Sequence, residues 1–313
     1  MLDSMHSSRQ GVSRSRYAAW LIVAAVMVLF YFGLPAALLH WNLDRLVFRT
    51  SPGDQTHEDT RMELEVAPGT TLVVRRYGVA GHSCVFFFPG QHGGIALYER
   101  TLFPSIRRLG ADIYAISYPG QDGARGRPQI DLLADQVAFA ISHVGKLGPC
   151  DARHSVFIGR SLGASVALME ASRFKPQGVL VDGLGAGLSD VIRTWIGHHG
   201  PLTGWTWLPI RSLVGKRDFS TPLLIAQIPS VPVWVFQGTA DEVTPYALVQ
   251  HLSDGYPNVH LVLVIDASHE DAYLRAHSAY NEKLRSMLGI DGTVATHSDG
   301  DVGAVTRRAG GKS

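Results

Sequence analysis

Cysteine is nearly absent from the chain: Cys84 and Cys150 are the only two among 313 residues. Two are too few for a scaffold held together by disulfides, and they lack the spacing of a zinc site. An excess of charge is missing too, with 28 Lys and Arg against 27 Asp and Glu for a formal net charge of +1. The basic residues are scattered and no nucleic-acid motif occurs, so nucleic acid is not an expected partner. No internal repeat is present, which excludes solenoids and propellers. No Asn-x-Ser/Thr acceptor occurs and Arg outnumbers Lys, which fits a bacterial chain facing the periplasm. What is present, 46% hydrophobic and 18% charged residues, is enough for one large domain or two small ones with a substantial core.

Charge is wholly missing from residues 17–39, YAAWLIVAAVMVLFYFGLPAALL, a run about as long as the roughly 20 residues needed to cross a bilayer. A cleaved signal peptide has a shorter apolar region followed by a small-x-small site, whereas Leu38, Leu39, His40 and Trp41 close this run, so it reads as an uncleaved signal anchor. Tyr31, Phe32 and Trp41 suit an interfacial aromatic belt. Arg9, Arg14 and Arg16 precede the span while Arg45 and Arg49 follow it, which favours a cytoplasmic N-terminal segment (1–16) and a domain on the periplasmic side of a single-pass protein. Beyond the anchor the expected organisation is a polar linker at 40–60, a globular domain at 61–290 and a disordered tail at 291–313, rich in Gly, Asp and Thr.

Within the domain, short apolar runs alternate with helical patterns. Strands are expected at 62–67, 71–78, 84–90, 111–118, 155–159, 178–183, 231–238 and 260–266, the first two forming a hairpin around Pro68-Gly69-Thr70. Helices are expected at about 94–109, 130–147, 162–174, 245–254 and 270–288. From residue 84 onward the strand runs are continuously apolar, as when helices cover both faces of a parallel sheet. The reading is an open α/β fold of about eight mostly parallel strands.

Gly159-Arg160-Ser161-Leu162-Gly163 follows one of these strands and opens a helix, the setting in which G-x-S-x-G is a nucleophile elbow; the bland reading is a serine cap flanked by packing glycines. A serine needs a base to take its proton and a third group to orient that base. Asp241 stands just past one downstream strand and His269 just past the last, the Ser, Asp, His order of the α/β-hydrolase triad at three strand ends where ligands bind in open sheets. Glu242 is the alternative acid, and Asp266, Glu270 and Asp271 read as a solvated or capping cluster. The amides of Leu162, after the nucleophile, and Gln91, in the glycine-rich loop FFFPGQHGG, are candidate oxyanion donors, with His92 a candidate for the pocket wall.

The anchored N-terminus, LDRLVFRTSPG, YAISYPGQDGARGRP, GRSLGASVALMEAS, GTADEVTP and ASHED, in this order over about residues 40–288, resemble the membrane-anchored α/β-hydrolase-domain proteins of the bud-emergence type. The chain departs from their pattern at Pro89 and Gln91. The resemblance implies a serine hydrolase fold with Ser161, Asp241 and His269 as the triad, Gln91 and Leu162 as the oxyanion hole, elbow glycines Gly159 and Gly163, and no metal or organic cofactor. In that fold the third and fifth strands are neighbours, so Cys84 and Cys150 are able to pair in an oxidising compartment, a buried free Cys84 being the alternative.

A lid at about 186–230 concentrates Trp195, Trp205, Trp207 and Leu208, which read as an acyl-binding wall, a membrane-facing surface or ordinary packing. The expectation is therefore a membrane-anchored hydrolase of esters or thioesters with an apolar acyl group, meeting a small-molecule or lipid-like substrate. Two alternatives stay open: a catalytically silent scaffold binding a lipid or protein partner, and an acyltransferase using the same triad.

Overall fold

The computed structural model describes residues 14–50, 53–57, 60–78, 83–148, 150–290 and 304–307. Eight strands arise from the expected runs: β1 (Arg61–Ala67), β2 (Thr70–Tyr77), β3 (Ser83–Phe88), β4 (Ala111–Ser117), β5 (Ser155–Arg160), β6 (Gly178–Asp182), β7 (Val233–Gly238) and β8 (Val259–Val264). Phe86, Phe87 and Phe88 explain why the central runs are apolar throughout. Phe86 and Phe88 enter the core on one face of the sheet and Phe87 the core on the other, and all three are fully buried.

A ninth strand, β9 (Ala304–Arg307), pairs antiparallel with β8, and the sheet order is β1-β2-β4-β3-β5-β6-β7-β8-β9. The strands β4-β3-β5-β6-β7-β8 run parallel, and β1 and β2 are antiparallel. β9 lies within the tail expected at 291–313. Without it β8 is an edge with unpaired amides and carbonyls. The rest of that tail, and residues 1–13 of the N-terminal segment, lie outside the described residues.

Helices cover both faces. α1 (Arg14–Val47) precedes the sheet, and α2 (Ile95–Thr101), α3 (Phe103–Arg108), α4 (Ile130–Leu147) and α5 (Leu162–Phe174) follow β3, β4 and β5. The segment expected as a lid, 186–230, carries α6 (Leu188–His198), a 3-10 segment (Gly200–Trp207), α7 (Ile210–Val214) and α8 (Thr221–Ala226). α9 (Leu252–Gly255), α10 (Ala272–Arg275) and α11 (His277–Met287) complete the fold. The single helix expected at 94–109 is broken at Leu102, because Pro104 has no amide to continue the ladder and belongs in a first turn. The helix expected at 245–254 is a 3-10 turn (Tyr246–Leu248) followed by one turn of α9, where Ser253, Asp254 and Gly255 favour turns over helix.

The linker expected at 40–60 is largely built into the domain. α1 runs on to Val47, with Asn42 out of helical geometry, and Leu39, Leu43, Val47 and Phe48 are buried in the core. Asp44 Oδ1 accepts the Ile130 amide at 2.9 Å, capping α4 from outside because Gln129 supplies no cap of its own. Farther on, the buried Arg75 guanidinium draws in Asp54 and Thr56, since a charge out of water must find acceptors. Cys84 and Cys150 are joined by a disulfide, Cα atoms 5.7 Å apart, that ties the start of β3 to the segment before β5. Closing a loop of 66 residues is worth about 4 kcal/mol in the chain-entropy account.

Candidate active site

The parallel strands deliver their C-terminal ends to one edge, and the turn after β5 is the tightest there. Ser161 has φ 54° and ψ −119°, a strained backbone for a residue with a side chain. The turn is possible because its flanks have no Cβ: one on Gly159 would overlap the Gly163 carbonyl, and one on Gly163 would overlap the Phe88 carbonyl at the end of β3. The Ser161 amide donates to the Asp182 carbonyl at 2.9 Å, tying the elbow to β6. α5 starts at Leu162, so its positive end faces Ser161.

Three separate strand ends meet at this serine. His269 Nε2 lies 2.9 Å from Ser161 Oγ, and His269 Nδ1 lies 2.9 Å from Asp241 Oδ2. With Asp241 ionised, Nδ1–H donates to the carboxylate and Nε2 is left to accept the serine hydroxyl proton. Gly183, at φ 61°, makes room for the imidazole, since a Cβ there would lie 2.9 Å from His269 Cε1.

Asp241 is buried, and every approach to its carboxylate ends in a donor. Oδ1 accepts the amides of Val243 at 2.9 Å and Thr244 at 2.7 Å; Oδ2 also accepts Thr244 Oγ1 at 2.7 Å and Gln237 Nε2 at 3.1 Å. Burial pushes the carboxyl pKa up, but the bonds from His269 and Thr244 outweigh it and hold the group below its usual range. Gln237 is locked in turn, its Oε1 accepting the Leu184 amide at 3.0 Å.

Sequence reasoning missed Thr244, Gln237 and Arg160. The one readable signal was a threonine three residues after an aspartate in a turn. Arg160, the variable residue of the elbow, turns away from solvent. Its guanidinium donates to the His269 carbonyl at 2.6 Å, to Asp182 Oδ2 at 3.3 Å, to the Tyr98 hydroxyl at 3.1 Å and to Glu270 Oε2 at 3.2 Å. The residue preceding the serine thus grips the backbone of the histidine.

The two residues expected to supply oxyanion donors both lie near the serine: Leu162 follows it along the chain, and Gln91 follows Gly90, which abuts it. Leu162 is the first residue of α5, so no carbonyl four residues back in the helix claims its amide. In the loop after β3 the Gly90 carbonyl accepts the Gly93 amide at 3.1 Å, so the Gln91 N–H of that planar peptide points the opposite way. A Cβ on Gly90 would stand 3.4 Å from Ser161 Cβ. The Gln91 carbonyl is held by Gln121 Nε2 at 2.7 Å and the Arg49 amide at 3.1 Å. His92 is exposed, and its Nε2 is 3.2 Å from Gln91 Nε2.

Of the alternatives, Glu242 is exposed and makes no part of the relay. Glu270 pairs with Arg160, and Asp271 Oδ1 accepts the Ser268 amide at 2.7 Å. The lid aromatics divide: Leu208 is buried, Trp205 is half-buried, and Trp195 and Trp207 are 50% and 86% exposed.

Comparison with known proteins agrees with this architecture. The profile of the alpha/beta hydrolase family matches residues 85–289. Two uncharacterized proteins of Mycobacterium tuberculosis, one from strain CDC 1551 and one from strain H37Rv, are each 29% identical over 150 residues, 47% of this chain and 49% of theirs. The chain therefore spans about half the length of the curated relatives it matches. Among solved structures, the Pyrococcus furiosus esterase Pf2001 superposes with a TM-score of 0.61 at 15% identity, over 77% of this chain and 97% of that one. A hydrolase from Pseudomonas aeruginosa has a TM-score of 0.56 at 15% identity, over 74% and 100%. The esterase RhEst1 from a Rhodococcus species has a TM-score of 0.54 at 15% identity, over 75% and 100%.

Proposed function

The chain belongs to the alpha/beta hydrolase family, and from that premise we propose that it is a membrane-anchored serine hydrolase acting on an ester or thioester with an apolar acyl group. The observation that carries the reading is the continuous Ser161–His269–Asp241 relay, with both hydrogen bonds at 2.9 Å. His269 Nε2 takes the Ser161 proton as Oγ attacks the acyl carbonyl. Asp241 keeps the proton on Nδ1 and stabilises the imidazolium that forms. The amides of Leu162 and Gln91 stabilise the tetrahedral oxyanion, and His269 then protonates the leaving group. Water, deprotonated by the same imidazole, releases the acyl group from Ser161.

The anchor is supported by α1, the one helix among the described residues that is long and apolar enough to span a bilayer. That anchor and the motif order favour the bud-emergence branch of the family. The Cys84–Cys150 bond favours a domain on the oxidising, periplasmic side, because cytosolic thiols are kept reduced.

The direct test is labelling with a fluorophosphonate probe beside Ser161→Ala. The expected outcome is labelling of the parent and none of the variant; equal labelling, or none of either, sinks the proposal. Turnover of esters and thioesters across acyl lengths then tests the acyl preference, which flat background rates would remove.

A further inference from the structure

Between its free and its docked parts, α1 is too short for the domain to stand clear of a bilayer. Residues 17–30 carry exposed side chains, and from Tyr31 onward one face of the helix is taken up by the domain. Those 14 residues rise about 21 Å, against about 30 Å of hydrocarbon, leaving about 9 Å to be crossed by turns that are already packed on the protein. The outward face of these turns is apolar: Leu34 is 54% exposed, Leu38 50% and Trp41 78%.

The element docked there is the lid. Tyr31 and Trp205 pack edge to face with ring centroids 6.1 Å apart, Gly204 lies against the Tyr31 ring, and Arg217 donates to the His40 carbonyl at 3.2 Å. Arg193 on α6 donates to the Thr206 carbonyl at 2.8 Å, which ties α6 to the 3-10 segment that packs on the anchor. Together they expose Trp195 and Trp207, the aromatic type that settles at headgroup level. Exposed Arg193 and Lys216 stand on the same lid, complementary to anionic headgroups, while exposed Arg211 lies 3.8 Å from Asp218. The chain leaving the anchor runs directly to the catalytic edge, where the Arg49 amide holds the Gln91 carbonyl.

We propose that the lid is a second membrane-contact surface, with Trp195 and Trp207 seated in the bilayer interface, so that Ser161 receives acyl substrate from the lipid phase. This rests on the anchored-hydrolase reading and adds to it a place and a route. Anchoring alone requires only α1; the lid contact follows from the helix running out of free length before the membrane ends.

The full chain reconstituted in vesicles containing phosphatidylglycerol tests it. Both native cysteines are bonded, so a single introduced cysteine takes an environment-sensitive fluorophore. The label on Trp207→Cys is expected to be blue-shifted and quenched by lipids carrying a spin label near the headgroup, while a label on Leu147→Cys, at the far end of α4, stays aqueous. Trp20→Cys reports on the anchor. A dry label at 20 with a wet label at 207 overturns the lid contact and leaves the anchor standing; wet labels at both overturn the anchor. In the double variant Trp195→Ser/Trp207→Ser, turnover of a vesicle-borne long-chain ester relative to a water-soluble short-chain ester is expected to fall about tenfold, since interfacial binding scales with buried apolar area. An unchanged ratio overturns the lipid route. If neither ester is turned over and Ser161 is not labelled by fluorophosphonate, the hydrolase reading falls, and the label at 207 still decides the contact.

Discussion

Asp241 and Glu170 are both carboxyls shut away from water, and the protein treats them in opposite ways. Asp241 sits in the turn after β7 among amides, a hydroxyl and an imidazole that all donate to it. Glu170 lies on the buried face of α5, is fully enclosed, and has no hydrogen-bond partner among the described residues for either oxygen. Burial acts on both, but donors hold Asp241 below the ordinary carboxylate range, whereas burial pushes Glu170 up to about 8, only partly opposed by Arg173. Burial by itself therefore neutralises an acid in this fold. The Asp241 carboxylate keeps its charge because the turn after β7 converges donors on it.

Breaking the donor-rich end should have the larger consequences. Asp241→Asn keeps the shape but offers Nδ1 of His269 the wrong partner, so kcat is expected to fall by about 10⁴ with little change in KM. A loss under tenfold would mean that Asp241 does not set the tautomer. Thr244→Val deletes one donor to Oδ2 and leaves His269 in place, so steady-state kinetics should show a smaller loss, about tenfold, consistent with one charge-assisted hydrogen bond.

Glu170→Gln acts at the other end and should appear in stability, not catalysis. Between the ordinary glutamate pKa of 4.5 and about 8, the unfolded chain gives up its Glu170 proton while the folded chain keeps it. Stability from this residue is thus fully present below pH 4.5 and is lost as pH rises to about 8. Thermal unfolding of the variant should match the parent near pH 4 and exceed it by about 5 °C above pH 8. Equal midpoints at both pH values would mean Glu170 finds a partner. Asp241 tilts the other way: its contribution is present above the ordinary aspartate range and lost as pH falls through its lowered pKa. The pH profile of Asp241→Asn should therefore flatten on the acid side only.

Much of this contrast was invisible in the linear chain. The eight strand runs were legible because an apolar run between turns is a local signal, and Ser161 was legible because two glycines within five residues of sequence mark a tight turn, although Gly163 makes room for Phe88 of β3. The support around Asp241 was only partly so. Thr244 is three residues away, but Gln237 reaches both Asp241 and the Leu184 amide, 53 residues back, only after β6 and β7 have paired. Arg160 looked like the free position of a motif, yet it holds the carbonyl of His269 across 109 residues. The presumed linker likewise became core because Leu43 and Phe48 found α4 and Tyr118 waiting beneath them.

The amino-acid sequence by itself determined the strand order along the chain, the elbow at Ser161, the order of its partners and the apolar length of α1. Each rests on periodicity, turn sterics or hydropathy within a few tens of residues. Only the tertiary structure decided that Gln237 and Arg160 brace the contact between Asp241, His269 and Ser161, and that the segment 186–230 packs on α1. Those contacts join residues 53 to more than 170 positions apart, and such distances close only when the sheet has set its register.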